Sequence, residues 1–256
     1  PLIEVAYSLA AEGQPMLLTV FPSRLHQYDV SDPWVSIANE LGVDAMVDSI
    51  VIESLPTAEG DEELRELVIM DYEPGHPVSG AVHGLPTHFA FAVPLQPMPE
   101  QTEQAFQVLA EIEPNNRLRL ADVSEAITFE TAKPFAEPQP LVVAIERDSP
   151  VSGGQQRAVL VGSGFWLVSA ILDQTVGEGG QKVRLRHPGN LELLIASVTW
   201  LAGLDDLIAQ GPTSQEVARL RDITPSVQRL WSWLTLIALP GFCVLMGVIV
   251  WFVRRS

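Results

Sequence analysis

The feature that most constrains this chain is a run of 24 residues without a charged side chain, residues 230–253. As an α-helix this run would be about 36 Å long, enough to cross a hydrocarbon core of about 30 Å with some tilt. Trp231 and Trp233 stand at one end and Trp251 at the other, where aromatic side chains typically mark the membrane interface. Pro240 near the middle is compatible with a kinked span. The run predicts a single C-terminal transmembrane helix.

The predicted span divides the chain into four parts. They are a soluble α/β domain (residues 1–204), a polar tether (205–229), the transmembrane helix (230–253) and a basic cytoplasmic end (254–256) with Arg254 and Arg255. The chain opens without a signal peptide, and a domain that crosses a membrane needs a targeting signal. We therefore expect the chain to be the C-terminal portion of a longer protein, with its soluble domain truncated at the N-terminus.

Acidic residues outnumber basic ones, with 32 Asp and Glu against 15 Lys and Arg and a net charge of −17. Such a surface repels a phosphate backbone, so no nucleic-acid partner is expected. It also argues against attachment to anionic lipid through a basic patch. The one cysteine, Cys243, lies in the predicted span. The soluble part therefore has no cysteine for a disulfide, a metal ligand or a nucleophile.

Apolar runs typical of strands buried on both faces occur at MLLTV, LVVAI and AVLV. Helical patterns lie around them, at residues 2–10, 32–41, 103–112, 164–172 and 190–204. Asp32 and Asn190 are the predicted N-caps of the second and last of these helices, and Gly13 and Gly42 are the predicted stops of the first two. Residues 113–138 are predicted to be irregular, and EGDEE at 59–63 to be a solvated acidic turn. Strands that alternate with helices predict an α/β fold with a mainly parallel sheet flanked by helices.

Two sequence motifs resemble nucleotide and metal sites but fail in detail. SGGQ at residues 152–155 matches the signature of ABC ATPases, but a predicted strand follows it and the sequence has no GxxxxGK[ST] phosphate loop. It is predicted to be a hairpin turn. His76, His83 and His88 are close in sequence, but their spacing does not place two of them on one helical face. No cofactor, metal site or enzymatic activity is predicted.

Gly162, Ser163 and Gly164 follow a predicted strand, with Phe165 after them. An esterase turn requires glycines two residues before and two residues after the serine, and this segment lacks that spacing. Ligands often bind at the carboxyl ends of strands in α/β proteins. These four residues are therefore the candidate ligand or partner surface, and a membrane-tethered ligand-binding or enzymatic domain is the alternative function.

The C-terminal third resembles a known family. The residues that carry the resemblance are RAVLVGSGFWLVSA (157–170), Gly189-Asn190, LELLIASVTWLAGLDD (191–206), the apolar run and the terminal WFVRRS. DPWVSIANELGV (32–43) and HPVSG (76–80) agree more loosely. Together they resemble the auxiliary component of gliding-motility-type ABC transport systems. In that family an acidic residue often stands where this chain has Ser163.

The resemblance implies a non-enzymatic accessory subunit of an ABC-type transport or gliding-motility system in the bacterial inner (cytoplasmic) membrane. The implied partners are the lipid bilayer, a permease and, through the permease, an ATPase subunit. The resemblance also implies an extracytoplasmic soluble domain and a cytoplasmic Ser256. Charge alone leaves the orientation open, because Arg219, Arg221 and Arg229 precede the span while two arginines follow it.

Overall fold

The computed structural model describes residues 2–58, 60–98, 106–149, 151, 153–176 and 184–208. The chain divides into two units, residues 1–215 and 216–256, and the second lies outside the described residues. The predicted span at 230–253 is part of that second unit. Within the described ranges, no helix has the length and apolar character needed to cross a bilayer.

The described residues form helices and strands in a mixed order. The helices are α1 (Leu2–Ala11), α2 (Pro33–Glu40), α3 (Pro77–Val82), α4 (Ser169–Leu172) and α5 (Pro188–Leu201). The first strands are β1 (Met16–Thr19), β2 (Val43–Ala45), β3 (Ser49–Thr57), β4 (Gly60–Leu64), β5 (Glu66–Ile69), β6 (Thr87–Ala90) and β7 (Leu95–Pro97). The later strands are β8 (Phe106–Ile112), β9 (Leu118–Asp122), β10 (Gln139–Asp148), β11 (Gln155–Val161), β12 (Thr175–Val176) and β13 (Arg184–Leu185). Short 3-10 turns occupy Leu25–Tyr28 and Asp205–Leu207.

The central sheet has four strands in the order β1-β11-β10-β8. β1 pairs in parallel with β11, with Met16 opposite Ala158 and Thr19 opposite Val161. β10 pairs antiparallel with both β11 and β8. The smaller sheets, β4-β3-β9, β2-β7, β5-β6 and β12-β13, are antiparallel. The predicted α/β fold with a mainly parallel sheet is therefore wrong, since strands dominate and β1–β11 is the one parallel pair in the described residues.

The largest local error is the helix predicted over residues 103–112. Phe106–Ile112 is β8, an edge strand of the central sheet. Its leucine, alanine and glutamate suit a helix in isolation. Pairing with β10 instead leaves Leu109 and Ala110 fully buried, so tertiary packing overrides the local preference.

Two further segments are strands rather than loops. The acidic stretch predicted as a turn at 59–63 contributes to β4, which forms a hairpin with β3. Residues 118–122, inside the segment predicted to be irregular, form β9 on the other side of β3. β3 is apolar and buried over much of its length. The two polar segments form strands because each of them pairs with one edge of β3.

Several local predictions are confirmed. Asp32 caps α2, with its Oδ1 accepting a hydrogen bond from the Trp34 N–H at 2.9 Å. Gly13 and Gly42, the predicted stops of the first two helices, have φ values of 76° and 83°, as expected for left-handed helix ends. β10 and β11 pair antiparallel as the predicted hairpin requires, and a connection that short can only join antiparallel strands.

The central sheet is buried on both faces, as its apolar runs predicted. Along β11, Val159 and Val161 pack in one cluster with Trp200 of α5 and with residues of α3. The alternate residue Leu160 packs in a second cluster with Ala10 of α1 and with residues of α2. The alternation follows from the period of two along a strand, and it places α5 on one face and α1 on the other.

The N-terminus of α5 approaches the start of β6 more closely than a side chain allows. A Cβ atom at Gly189 would lie 2.2 Å from the Oγ1 of Thr87 and 2.9 Å from the carbonyl oxygen of Pro86. The Gly189 N–H donates to that Pro86 oxygen at 3.1 Å. Glycine is required here because two backbones meet.

We expect Gly189→Ala to lower the free energy of unfolding by about 1–3 kcal/mol, because the added methyl group must displace backbone. Gly80→Ala, within α3, is the matched control, since no atom lies within 4 Å of the position of its Cβ. The control should be neutral or stabilising by up to about 1 kcal/mol. Urea unfolding of the full chain in mild detergent measures both, and equal effects of the two substitutions would contradict the close approach.

Candidate functional site

Gly162 directly follows β11, the family-like strand, and it lies close to the backbone of residues 93 and 141. Its N–H donates to the carbonyl oxygen of Leu141, and its own carbonyl accepts from the Val93 N–H, both at 2.7 Å. A Cβ at this position would lie 1.9 Å from the Val93 oxygen. Any larger residue would separate the two segments, so Gly162 has a structural role.

Ser163 is fully buried, and its Oγ donates to the carbonyl oxygen of Ala90 at 2.7 Å. A catalytic serine presents an accessible hydroxyl to its substrate and to a base. Ser163 instead ties the segment after β11 to the end of β6. The structure therefore gives this residue a positioning role, and the surface of the site is formed by its neighbours.

Three phenylalanines surround this segment and form a surface that we call the phenylalanine patch (Phe21, Phe91 and Phe165). Phe165 is 38% exposed and Phe21 46% exposed. The ring centroids of Phe21 and Phe165 are 5.4 Å apart in an edge-to-face arrangement, and those of Phe91 and Phe165 are 5.6 Å apart. Phe21 follows β1 and Phe165 follows β11. Because these two strands are parallel, their carboxyl ends bring the two rings together.

The backbone around the phenylalanine patch leaves little freedom. Phe91 has a φ of 52°, which is uncommon for a residue other than glycine and has an energetic cost that surrounding contacts must offset. Its N–H donates to the carbonyl oxygen of Arg65 at 2.8 Å. A Cβ at Gly164 would lie within 2.2 Å of the Phe21 ring, so that ring lies directly against the glycine.

Asn190, fully buried in α5, holds the two segments that carry the phenylalanine patch. Its Oδ1 accepts from the His88 N–H at 2.9 Å, and its Nδ2 donates to the carbonyl oxygens of His88 at 2.8 Å and Trp166 at 2.7 Å. Trp166 directly follows Phe165, and β6 directly precedes Phe91. The helix begins at Pro188, so the prediction that Asn190 caps it is wrong, and its amide makes tertiary contacts instead.

The histidines singled out in the sequence lie at separate places. His76 precedes α3 and its Nδ1 accepts from the Val78 N–H at 3.2 Å. His83 ends that helix, with Nδ1 3.2 Å from the carbonyl oxygen of Tyr72. His88 lies in β6. Among the described residues, no group of three or more His, Cys, Asp or Glu is arranged to hold a metal ion.

His88 does have a histidine neighbour that the sequence did not indicate. The rings of His88 and His187 have centroids 4.8 Å apart, and the Nε2 of His88 lies 3.0 Å from a carboxylate oxygen of Glu66. Both histidines are buried, and neither Nδ1 has a hydrogen-bond partner among the described residues. Burial, and then the neighbouring His88 and Arg186, lower the pKa of His187, while Glu66 acts in the opposite direction.

His76 lies beneath the other end of α5. Its ring is 4.7 Å from the Trp200 ring, centroid to centroid. Burial and, after it, the positive charge of Arg157 lower the pKa of His76 from 6.5 to about 4, with Asp205 acting in the opposite direction. The ring is therefore neutral at pH 7, with its lone pair on the Nδ1 that accepts the Val78 N–H.

Arg157 secures the C-terminal end of α5 to the central sheet. One Nη donates to the Trp200 carbonyl oxygen at 2.9 Å, and the two Nη atoms reach the carboxylate of Asp205 at 2.7 and 3.1 Å. The Nε donates to Glu146 at 3.2 Å. These hydrogen bonds to Asp205 raise the pKa of Arg157. The bidentate geometry fixes the guanidinium over the indole ring, 4.9 Å from its centroid.

The outward face of α5 is apolar. Leu191, Ile195 and Val198 are 42%, 50% and 52% exposed, and their spacing places them on one side of the helix. We call these three residues the α5 stripe. Glu192 is the one charged residue of the helix. An apolar face of this kind on a strongly acidic domain is typical of a partner surface.

The predicted ligand or partner surface, Gly162 to Phe165, is not uniformly exposed, since Gly162 and Ser163 are buried. Of its four predicted residues, Phe165 is the one whose large side chain is exposed, and it meets Phe21 and Phe91, which the sequence analysis missed. Phe21 ends the apolar run that contains β1, and it could have been found from a correct pairing of β1 with the family-like strand. Phe91 carries no such signal, because its alternating neighbours predict a continuing strand. The predicted membrane-anchor residues lie outside the described residues: Trp231, Trp233, Pro240, Trp251, Arg254 and Arg255.

Comparison with known proteins adds no relative. No protein-family model matches the sequence, and no curated protein matches it.

We expect Asn190→Ala to lower the free energy of unfolding by about 3–5 kcal/mol, because three buried backbone groups lose their partner at once. Asn190→Asp keeps the acceptor and loses both donors, so it should also be strongly destabilising. Asn115→Ala is the matched control, since it removes one exposed hydrogen bond to the Arg117 N–H and should cost about 1 kcal/mol or less. Urea unfolding of the full chain tests this order, and a loss at Asn190 no larger than that at Asn115 would refute it.

Proposed function

We propose that the chain is a non-enzymatic, membrane-anchored accessory subunit of an ABC-type transport system of the gliding-motility kind. In this proposal residues 230–253 anchor the chain in the bacterial inner membrane. The domain lies outside the cytoplasm, where it binds a permease and, through it, an ATPase subunit. The proposal starts from the family-like run 157–206 and from the uncharged C-terminal run.

The observation that best supports a partner-binding role is the phenylalanine patch. Phe21 and Phe165 are large apolar side chains, each more than a third exposed. Aromatic side chains are enriched in the cores of protein interfaces, where a few of them dominate the binding energy. The rings are held by glycine contacts and buried hydrogen bonds, so binding would require little ordering of the surface.

The α5 stripe is a second apolar surface, on the helix that follows the site in sequence. It contains no charged side chain, whereas the chain as a whole carries a net charge of −17. A patch without charged side chains on an acidic surface favours contact with an apolar partner such as a membrane-embedded permease. Both surfaces support a protein that works by binding.

A non-enzymatic role is consistent with how the polar side chains of the site are used. The Ser163 hydroxyl is bonded to a backbone carbonyl, and the Asn190 amide is bonded to three backbone groups. These side chains maintain the shape of the surface and are themselves buried. The part of the site that a partner can reach is mainly aromatic.

The partner prediction is tested by capturing the tagged full chain from native membranes in mild detergent. We expect an ABC-type permease and an ATPase subunit to co-purify, and the double variant Phe21→Ser/Phe165→Ser to reduce their recovery at least tenfold. Tyr28→Ser is the matched control, because Tyr28 is 73% exposed and lies outside the patch. Recovery of the chain without permease or ATPase, although both are present in the membrane, would overturn the proposal.

The membrane orientation is tested with single cysteines at Ser214 and Ser256 in a Cys243→Ala background. In spheroplasts, a membrane-impermeant maleimide should label position 214 and should reach position 256 only after lysis. The two positions flank the predicted anchor, so each serves as the control for the other. The reverse pattern would place the domain in the cytoplasm and would contradict an exported accessory subunit.

A further inference from the structure

We propose that α5 is an acid-released helix, held on the domain by a buried histidine at each of its ends, His187 and His76, and detached when these two histidines take up protons. His187 and His88 lie at its N-terminal end, and His76 lies against Trp200 near its C-terminal end. All three histidines are less than a tenth exposed. The proposal concerns regulation of the domain and does not depend on the identity of the partner.

At the C-terminal end, protonation of His76 breaks a hydrogen bond directly. Its Nδ1 accepts the Val78 N–H at 3.2 Å, and a protonated Nδ1 is a donor that faces another donor. Its Nε2 is buried and has no hydrogen-bond partner among the described residues, so a positive charge on the ring would gain no compensating contact there. The result is a loss of the α3 cap and an unpaired charge under Trp200.

The charges around His76 oppose protonation on balance. Arg157 of β11 places a guanidinium near the ring, and it is already paired with Glu146 of β10 and with Asp205 of the following 3-10 turn. Asp205 alone favours a proton on His76. Because that carboxylate is bound in a bidentate pair, moving it toward His76 would weaken the contact that secures the end of α5.

At the N-terminal end, a proton on His187 would meet an unfavourable site. The ring is buried, it lies 4.8 Å from the His88 ring, centroid to centroid, and its Nδ1 has no hydrogen-bond partner among the described residues. Arg186 adds positive charge beside it, and Glu66, which opposes this effect, is 3.0 Å from the Nε2 of His88. A positive charge on His187 therefore favours separation of this residue, and with it the start of α5, from β6.

The direction of the pH effect follows from linkage. A histidine with a lowered pKa binds fewer protons on the domain than after release, so its stabilising effect is present above pH 6.5 and is lost as the pH falls below that value. For His76, with a pKa of about 4 when packed and 6.5 when free, the opening equilibrium should rise roughly 30-fold between pH 7.5 and pH 5. His187 should add to this in the same direction.

Hydrogen exchange of the full chain in detergent at pH 7.5 and pH 5, corrected for intrinsic exchange rates, tests the proposal. In the wild type we expect the amides of α5 to lose protection roughly 30-fold or more at pH 5, while those of β10 keep theirs. His76→Asn retains an acceptor for the Val78 N–H and cannot titrate, so it should remove most of the loss. His187→Asn should reduce it, and His26→Asn, at an exposed histidine, should leave it unchanged.

Three results would overturn the proposal. The wild-type α5 amides could keep their protection at pH 5, or α5 and β10 could lose protection together, which indicates global unfolding. The acid effect could also persist at full size in both His76→Asn and His187→Asn. If one of these variants does not fold, the wild-type comparison of α5 with β10 and the remaining variant still decide.

Discussion

The side-chain amide of Asn190 joins three backbone groups that belong to distant parts of the sequence. It is 102 residues from His88 and 24 from Trp166. A buried N–H or C=O without a partner costs about 1–3 kcal/mol, so these segments can be buried together only because one side chain satisfies them all. The position of α5, the end of β6 and the segment after β11 all depend on this residue, and the phenylalanine patch depends on those segments.

Gly189 and Asn190 together fix the position of the start of α5 against β6. The glycine permits contact between the backbones of α5 and the residues before β6, and that contact brings the amide within hydrogen-bonding distance of β6. Trp200 has a similar role at the other end of the helix, between the ring of His76 and the guanidinium of Arg157. The residues that carry the family resemblance in this region therefore have structural roles in docking α5.

That division of roles bears on function. The polar side chains of the family-like segment form hydrogen bonds to backbone groups. The large side chains that remain accessible are aromatic or aliphatic. A surface of this kind suits binding of another apolar surface, in agreement with an accessory subunit. The same docking of α5 buries His187 and His76 at the two ends of the helix, so the helix next to the binding surface is also the element for which we propose a response to acid.

The sequence by itself determined the features that depend on neighbouring residues. These are the glycine helix stops, the Asp32 cap, the apolar strands β1, β10 and β11, and the hairpin between β10 and β11. Each is decided by local sterics, capping or apolar periodicity, which a sequence displays directly.

Only the tertiary structure decided the features that depend on distant partners. Residues 106–112 have side chains suited to a helix, and the open edge of β10 makes them a strand. The acidic residues of β4 pair because β3 offers an edge to them. The pairing of β1 with β11, rather than the order of elements along the chain, unites Phe21 with Phe165. The contact between the tilted rings of His88 and His187 likewise joins residues 99 positions apart, and periodicity contains no information about which buried surfaces will meet.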